Sequence, residues 1–92
     1  MPAVYIVRCA DGTFYTGYAV DVARRCEAHN AGRGAKYTAS RLPVTLVYEE
    51  CCESASAALK REYALKQLTR VQKQMLIARA RRKKRRVPAS PA

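Results

Sequence analysis

The sequence is poor in negative charge and has a single histidine. Of its 92 residues only 7 are Asp or Glu, against 18 Lys and Arg, and the formal net charge is +11. This imbalance favours a polyanionic partner, either nucleic acid or an anionic membrane surface. The four cysteines lack C-x-x-C spacing, which together with the lone histidine argues against a zinc site.

Long apolar runs and internal repeats are also missing. No apolar stretch is long enough to cross a bilayer, and no signal peptide precedes the first strand-like segment. The sequence therefore predicts a cytoplasmic protein that does not associate with membranes, with its cysteines reduced. Its length is enough for one domain with a modest core.

Basic charge is concentrated near the C-terminus. Seven of the 18 basic residues lie between Arg79 and Arg86, so the remainder of the chain carries only about +4. A block of like charges repels itself, and the last six residues offer little to pack. We therefore predict a globular domain over residues 1–80 and a basic disordered tail over residues 81–92. The tail either contacts phosphates or only adds solubility.

Three segments have the composition of β-strands. Residues 4–9, 14–19 and 44–49 are rich in β-branched and aromatic side chains. Between the first two lies Asp11-Gly12, a strong hairpin signal.

Helix signals separate and follow these strands. Asp21 can cap a helix that Gly32 ends, and Thr69 with Gln72 fits a capping box. Three helices are predicted, over residues 21–30, from Ser54 or Ser56 to about residue 68, and from residue 69 to about residue 80. The order is β-β-α-β-α-α, which predicts an α+β domain with a small three-stranded antiparallel sheet and packed helices.

Glu62 is the most unusual residue of the second predicted helix. Leu59 and Leu65 lie three residues on either side of it, so its carboxylate points toward or borders the apolar stripe. A buried, unpaired carboxylate is costly and needs a cation, a metal ion or a hydrogen-bond network. An ion pair at the rim, with Arg61 or Lys66, is the simpler explanation.

Arg25 and His29 lie four residues apart and so share one face of the first predicted helix. Two tyrosines, Tyr5 and Tyr15, occupy the hairpin, close to Gly17. Taken singly, each of these residues is explained by ordinary packing or by a snorkelling arginine. In combination with the embedded glutamate they indicate a functional site.

Four short motifs follow one another along the chain. V-Y-I stands at residues 4–6, Y-T-G at residues 15–17, G-R-G-A-K-Y-T at residues 32–38, and R-E-Y-A-L-K-Q-L surrounds Glu62. With this order and spacing, residues 3–77 resemble the GIY-YIG nuclease superfamily, in particular its small stand-alone bacterial branch of UPF0213-like proteins. The third motif is similar to a stretch shared with structure-specific junction nucleases.

The resemblance implies a GIY-YIG-like fold and a metal-dependent endonuclease that hydrolyses DNA phosphodiester bonds. Cleavage would be structure-specific or independent of sequence, and would serve DNA repair or recombination. Glu62 would hold one divalent ion, Mg²⁺ or another such as Mn²⁺, and Tyr5 would act as general base. Arg25 would bind the scissile phosphate. Tyr15 would hydrogen-bond within the site, and His29 would orient a neighbour or share proton transfer.

Basic, aromatic and hydroxyl side chains around this site are expected to contact phosphates or other parts of the nucleic acid. They are Arg8, Arg24, Arg33, Lys36, Tyr37, Thr38 and Arg41. DNA is favoured over RNA as the partner, and a protein partner would supply targeting. Two alternatives remain open: a non-catalytic nucleic-acid-binding module of the same fold, and a basic protein whose tail docks on RNA or an acidic partner.

The register of the hairpin decides whether the two tyrosines can share a site. A two-residue Asp11-Gly12 turn would pair Arg8 with Tyr15, and Tyr5 would then face away from Tyr15. A common site requires a loop of three or five residues, or a bulge. We predict the longer loop.

Overall fold

A computed structural model describes residues 1–86, with side chains described as far as Arg82. The elements are β1 (Ala3–Arg8), β2 (Phe14–Ala19), α1 (Val22–Asn30), α2 (Lys36–Ala39), β3 (Thr45–Cys51), α3 (Ala55–Lys66) and α4 (Arg70–Arg86). The three strands form one antiparallel sheet. The predicted α+β class and three-stranded sheet are confirmed.

The sheet is the middle of three layers. β1 runs between β2 and β3, and its residues from Ala3 to Val7 are all buried because helices cover both faces. Tyr5 packs in one cluster with Val22 of α1. On the opposite face Val4 packs with Leu65 of α3. The central strand therefore contributes side chains to two separate cores.

The hairpin register brings the two tyrosines to one face. Val7 pairs with Tyr15, and Tyr5 pairs with Gly17. The connection between the strands is the five-residue loop 9–13. Paired residues on adjacent strands point the same way, so Tyr5 and Tyr15 share the α1 side of the sheet. The predicted longer loop is confirmed.

The helices begin at capping residues that the sequence indicates. Asp21 caps α1 and Ser54 caps α3, each accepting a hydrogen bond from the backbone N–H three residues further on. The choice between Ser54 and Ser56 is thus resolved. Thr69 and Gln72 exchange the two hydrogen bonds of a capping box, of 2.8 and 3.2 Å, at the start of α4.

The segment between α1 and β3, predicted as a loop, contains the short helix α2. It is a single turn in which the Thr38 hydroxyl donates to the carbonyl of Ala35 over 3.1 Å. A one-turn helix is too short to give a periodic pattern, so the local hydrogen bond rather than the sequence pattern reveals it.

The last helix is longer than predicted. It was expected to end near Ala80, where the disordered tail would begin, but α4 continues to Arg86. Arg and Lys are good helix formers and no Gly or Pro interrupts the run. Residues 87–92, the rest of the predicted tail, lie outside the described residues. Within the described part of the chain, no helix combines the length and apolar character needed to cross a membrane.

Candidate active site

His29 joins α1, β1 and α2 through a buried chain of hydrogen bonds. The imidazole is only 1% exposed. Its Nε2 lies 2.8 Å from the Tyr5 hydroxyl, and its Nδ1 lies 2.8 Å from the Thr38 hydroxyl. The proton of Thr38 goes to the carbonyl of Ala35. This network assigns the tautomer: His29 donates from Nδ1 to Thr38, and Tyr5 donates to Nε2.

Two glycines leave room for these rings. A Cβ atom at Gly17 would lie 2.8 Å from the Tyr5 hydroxyl oxygen and 3.3 Å from the ring of Tyr15. A Cβ atom at Gly34 would collide with the imidazole of His29. Glycine is needed at both positions so that the backbone can approach the rings this closely.

Burial sets the protonation states of Tyr5 and His29. Burial raises the pKa of Tyr5 well above its usual range, and the nearby Tyr15 raises this pKa further. The positive charge of Arg25 lowers it, and the negative charge of Glu62 adds a smaller increase. The pKa of His29 is lowered by burial and by Arg25. At neutral pH the pair therefore consists of a protonated phenol and a neutral imidazole. These influences also mean that Tyr15, Arg25 and Glu62 all lie within electrostatic reach of Tyr5.

An aromatic row extends from the buried histidine to the surface. The half-buried Tyr15 ring packs edge-on against His29, with centroids 5.4 Å apart. On its other side Tyr15 stacks on Tyr37 at 6.1 Å. The guanidinium of Arg41 lies 3.9 Å above the Tyr37 ring. The row leaves Tyr15 at the boundary between the core and solvent.

A cavity of about 290 Å³ opens beside Tyr15. We call it the lysine cavity. It is lined by Phe14, Tyr15, Thr16, Tyr37, Lys66 and Lys73. The Thr16 hydroxyl is buried and has no hydrogen-bond partner among the described residues. Burial and the nearby charge of Lys66 lower the pKa of Lys73. Two crowded cations and an unsatisfied hydroxyl favour an anionic ligand with several oxygen atoms.

Glu62 lies close to this cavity through its neighbour on α3. Its side chain is 17% exposed, and its Oε2 is 3.3 Å from Lys66 Nζ, four residues further along the helix. The ion pair expected as the simpler explanation is therefore present, with Lys66 and not with Arg61, which binds Glu50 instead. The negative charge of this carboxylate makes the smallest contribution to the raised pKa of Tyr5.

Among the described residues, the donor set fits an open metal site that is shared with a ligand. The described residues contain no group of three or more His, Cys, Asp or Glu side chains arranged to hold an ion. Mg²⁺ is commonly bound by one or two carboxylates, with water and substrate phosphate completing its shell. Glu62 fits such a shared, hydrated site and does not fit a closed protein cage.

The model of the GIY-YIG catalytic domain family matches residues 1–75. The chain belongs to the GIY-YIG family. It is similar to a UPF0213 protein of Halobacterium salinarum, with 57% identity over 83% of this chain and 99% of that protein. A UPF0213 protein of Staphylococcus aureus is 61% identical over 80% of this chain and 90% of its own length.

Two solved structures share the GIY-YIG arrangement. The solution structure of a Bacillus halodurans UPF0213 protein has a TM-score of 0.54 and 44% identity, and covers 85% of this chain and 84% of its own. A protein from E. faecalis has a TM-score of 0.57 and 42% identity, over 86% and 84% of the two chains. The predicted family is confirmed, and membership points to nuclease chemistry.

Several predicted nucleic-acid contacts of this GIY-YIG protein lie on an accessible surface. Arg24 and Arg25 line a cavity of about 390 Å³ where α1 begins. Arg33 and Lys36 are exposed in and after the loop that follows α1, and Tyr37 is 38% exposed beside Tyr15. These side chains remain available to a ligand.

Three predicted contacts have other surroundings. Thr38 is fully buried against His29, so its position fits orientation of the imidazole rather than contact with nucleic acid. Arg41 forms an ion pair with Asp11 at 3.1 Å. Arg8 is three positions from Tyr5 on β1, so it projects from the opposite face and lines a separate cavity with α4.

The sequence reasoning missed three polar residues of the lysine cavity. Thr16 lies inside the second GIY-YIG motif, and Lys66 follows Glu62 by four positions, so both had a local signal. Lys73 is brought there by the packing of α4, for which the sequence offers no short-range pattern.

Proposed function

We propose that this GIY-YIG protein is a divalent-metal-dependent endonuclease that hydrolyses DNA phosphodiester bonds, in repair or recombination. Cleavage would be structure-specific or independent of sequence. The observation that carries the proposal is a cavity lined by a half-buried tyrosine and two crowded lysines, one of which is paired with a glutamate. A nuclease needs this combination of anion-binding and proton-accepting groups.

Phosphate binding is divided between two groups of side chains. The exposed guanidinium of Arg25 would hold the scissile phosphate, because its planar fork matches two phosphate oxygens. Lys66 and Lys73 would hold a neighbouring phosphate in the lysine cavity. All of these contacts are to the phosphates of the nucleic acid and not to its bases, which accounts for the proposed lack of sequence specificity.

Glu62 would hold the divalent ion, Mg²⁺ or Mn²⁺. When bound, such an ion stabilises negative charge on the phosphate and on the leaving oxygen. In the free protein Lys66 neutralises the same carboxylate. We infer that Lys66 exchanges this contact for a substrate phosphate when the substrate is bound.

We propose Tyr15 as the general base in place of Tyr5, the residue that the family resemblance suggested. The Tyr5 proton is held by His29 in a buried hydrogen bond, and burial opposes formation of a phenolate. Tyr15 is half-buried and lines the lysine cavity. Tyr5 and His29 would position Tyr15.

One observation favours a second candidate, a module of the same fold that binds nucleic acid without cutting it. The pair between Glu62 and Lys66 already satisfies the carboxylate that a metal ion would use. The two functions differ in a single outcome, which is whether bound DNA is cut.

The test is a cleavage assay on labelled branched and single-stranded DNA, with RNA of matched sequence, in the presence of Mg²⁺. Glu62→Gln should reduce the cleavage rate by about 10³-fold or more, because a catalytic ion contributes several kcal/mol to transition-state stabilisation. The matched control is Glu53→Gln at an exposed position before α3, which should cut like the wild type. Residual cutting that is equal in the wild type and Glu62→Gln would indicate a contaminant. Binding without cutting by the wild type would support the binding module.

A further inference from the structure

A cavity larger than the lysine cavity lies between the sheet and α4. It has a volume of about 430 Å³, within the range of ligand sites in proteins. Its lining includes three arginines, Arg8, Arg81 and Arg82, and three apolar side chains, Phe14, Val47 and Ile77. We call it the arginine cavity. It lies on the side of the sheet to which Arg8 projects, away from Tyr5.

The charge of the arginine cavity is uncompensated. None of the described residues that line it is acidic. Arg8, Arg81 and Arg82 have no ion-pair partner among the described side chains. Three guanidinium groups around one opening attract an anion and suit the paired oxygens of a phosphate.

The interior of the cavity is apolar and partly aromatic. Ile77 is 8% exposed and closes the floor, while the partly buried Phe14 forms part of the wall. The guanidinium of Arg70 lies 5.2 Å from the Phe14 ring centroid and also donates to the carbonyl of Gly12, which fixes the ring. An apolar, aromatic cavity with a cationic rim is suited to a ligand that has a flat ring and a phosphate.

We propose that the arginine cavity receives one unpaired nucleotide of a nucleic-acid strand, with the base against Phe14 and the phosphate on the arginines. In a duplex the base faces are stacked on their neighbours, so only an unpaired base can enter and stack on an aromatic side chain. This inference rests on the proposed nuclease function and specifies its substrate, a strand with an unpaired segment.

The two cavities share one lining residue, Phe14. This residue lines both the arginine cavity and the lysine cavity, and it is adjacent to Tyr15 on β2. A strand held by Lys66 and Lys73 can therefore continue past the edge of β2 into the arginine cavity. The unpaired nucleotide would lie next to the cleavage site without taking part in the reaction.

The test is fluorescence anisotropy in metal-free buffer with labelled oligothymidylate, an abasic strand of the same length, and a duplex. Every protein carries Glu62→Gln, so that cutting does not contribute. The parent protein should bind oligothymidylate more tightly than the abasic strand or the duplex. Phe14→Ala should lose about 5- to 100-fold of the affinity for oligothymidylate, as expected for a lost base–aromatic stack, and little for the abasic strand. Phe14→Leu, which keeps an apolar side chain for folding, should lose the same preference.

The arginines are tested by the dependence of binding on salt. Arg81→Ala with Arg82→Ala should lower the slope of log affinity against log salt by about 1.4, at roughly 0.7 per phosphate contact on single strands. The control pair, Lys60→Ala with Arg79→Ala, removes the same charge from exposed positions outside the cavity and should leave the slope unchanged.

Equal affinity of the parent protein for oligothymidylate and the abasic strand would overturn the proposal. Equal salt-dependence slopes for the Arg81/Arg82 double variant and the Lys60/Arg79 control would also overturn it. These outcomes are separable from the cleavage assay. A protein that cuts DNA but shows no base preference contradicts only the arginine cavity. A protein with the base preference that does not cut contradicts only the nuclease function.

Discussion

The two tyrosines of the GIY-YIG motifs differ in their surroundings, although they share one face of the sheet. Tyr5 is 1% exposed, and it forms with His29 and Thr38 a network in which every hydroxyl and ring nitrogen has a partner. Tyr15 lies half-buried beside Thr16, whose hydroxyl has no partner among the described residues. We call these the inner and outer halves of the site.

The difference indicates that the two halves of the site have separate roles. A fully satisfied buried network rigidifies its surroundings, so the inner half holds the geometry. The outer half retains an unsatisfied hydroxyl and crowded positive charge, which favour binding of an anionic ligand. Changes to the inner half should therefore act mainly on stability, and changes to the outer half mainly on activity.

The largest effect on stability is expected for His29→Ala, which breaks the inner half. The change removes a buried ring and leaves the Tyr5 and Thr38 hydroxyls without their partner, so the free energy of unfolding should fall by about 3–5 kcal/mol. Urea denaturation measures this loss. Glu27→Ala, on the exposed side of the same helix, should change stability by less than about 0.5 kcal/mol. A loss below about 1 kcal/mol in His29→Ala would mean that the network does not stabilise the fold.

Gly17→Ala tests the contact between the two halves. The added methyl group would lie 2.8 Å from the Tyr5 oxygen and 3.3 Å from the Tyr15 ring, so both rings must shift. Overpacking of this kind costs about 1–3 kcal/mol. Thermal unfolding should report the loss, and the cleavage rate should fall as well because Tyr15 moves. An unchanged melting temperature would show that the rings tolerate the displacement.

The smallest effect is a dependence of stability on pH. Burial and the charge of Arg25 lower the pKa of His29 in the folded protein, whereas the unfolded chain binds the proton with a pKa near 6.5. The unfolded state then holds more protons below that value, so stability is full above about pH 6.5 and declines as the pH falls toward about 5. Urea denaturation across this range should show the decline in the wild type and a weaker one in His29→Gln. Parallel curves would contradict the assignment.

Local signals were enough to predict most of the fold. The caps at Asp21 and Thr69 and the composition of the strands gave the element order apart from α2. The resemblance to GIY-YIG proteins required a hairpin loop of three or five residues, or a bulge. The sequence pattern missed α2 because a single helical turn has no periodicity. It also ended α4 too early, because the run of like charges indicated disorder although Arg and Lys favour helix.

The site was less predictable because it depends on packing between distant segments. The motif identified Tyr5, Tyr15 and Glu62, but not which tyrosine is buried, since that follows from the central position of β1 and the edge position of β2 in the sheet. The pairing of Thr38 with the imidazole and the arrival of Lys73 from α4 also depend on tertiary structure. Arg8 was grouped with the tyrosines, whereas strand alternation puts it on the opposite face.

The most direct test of the division into halves is the single-turnover cleavage rate of Tyr15→Phe and Tyr5→Phe, measured side by side with Mg²⁺ on the same DNA. Both substitutions remove one hydroxyl and keep the ring. Tyr15→Phe should lose about 10²-fold or more, as expected for removal of a general base, and remain as stable as the wild type. Tyr5→Phe should be less stable, because His29 loses its partner, yet retain more activity than Tyr15→Phe. A folded Tyr5→Phe protein without activity, beside an active Tyr15→Phe protein, would contradict the account.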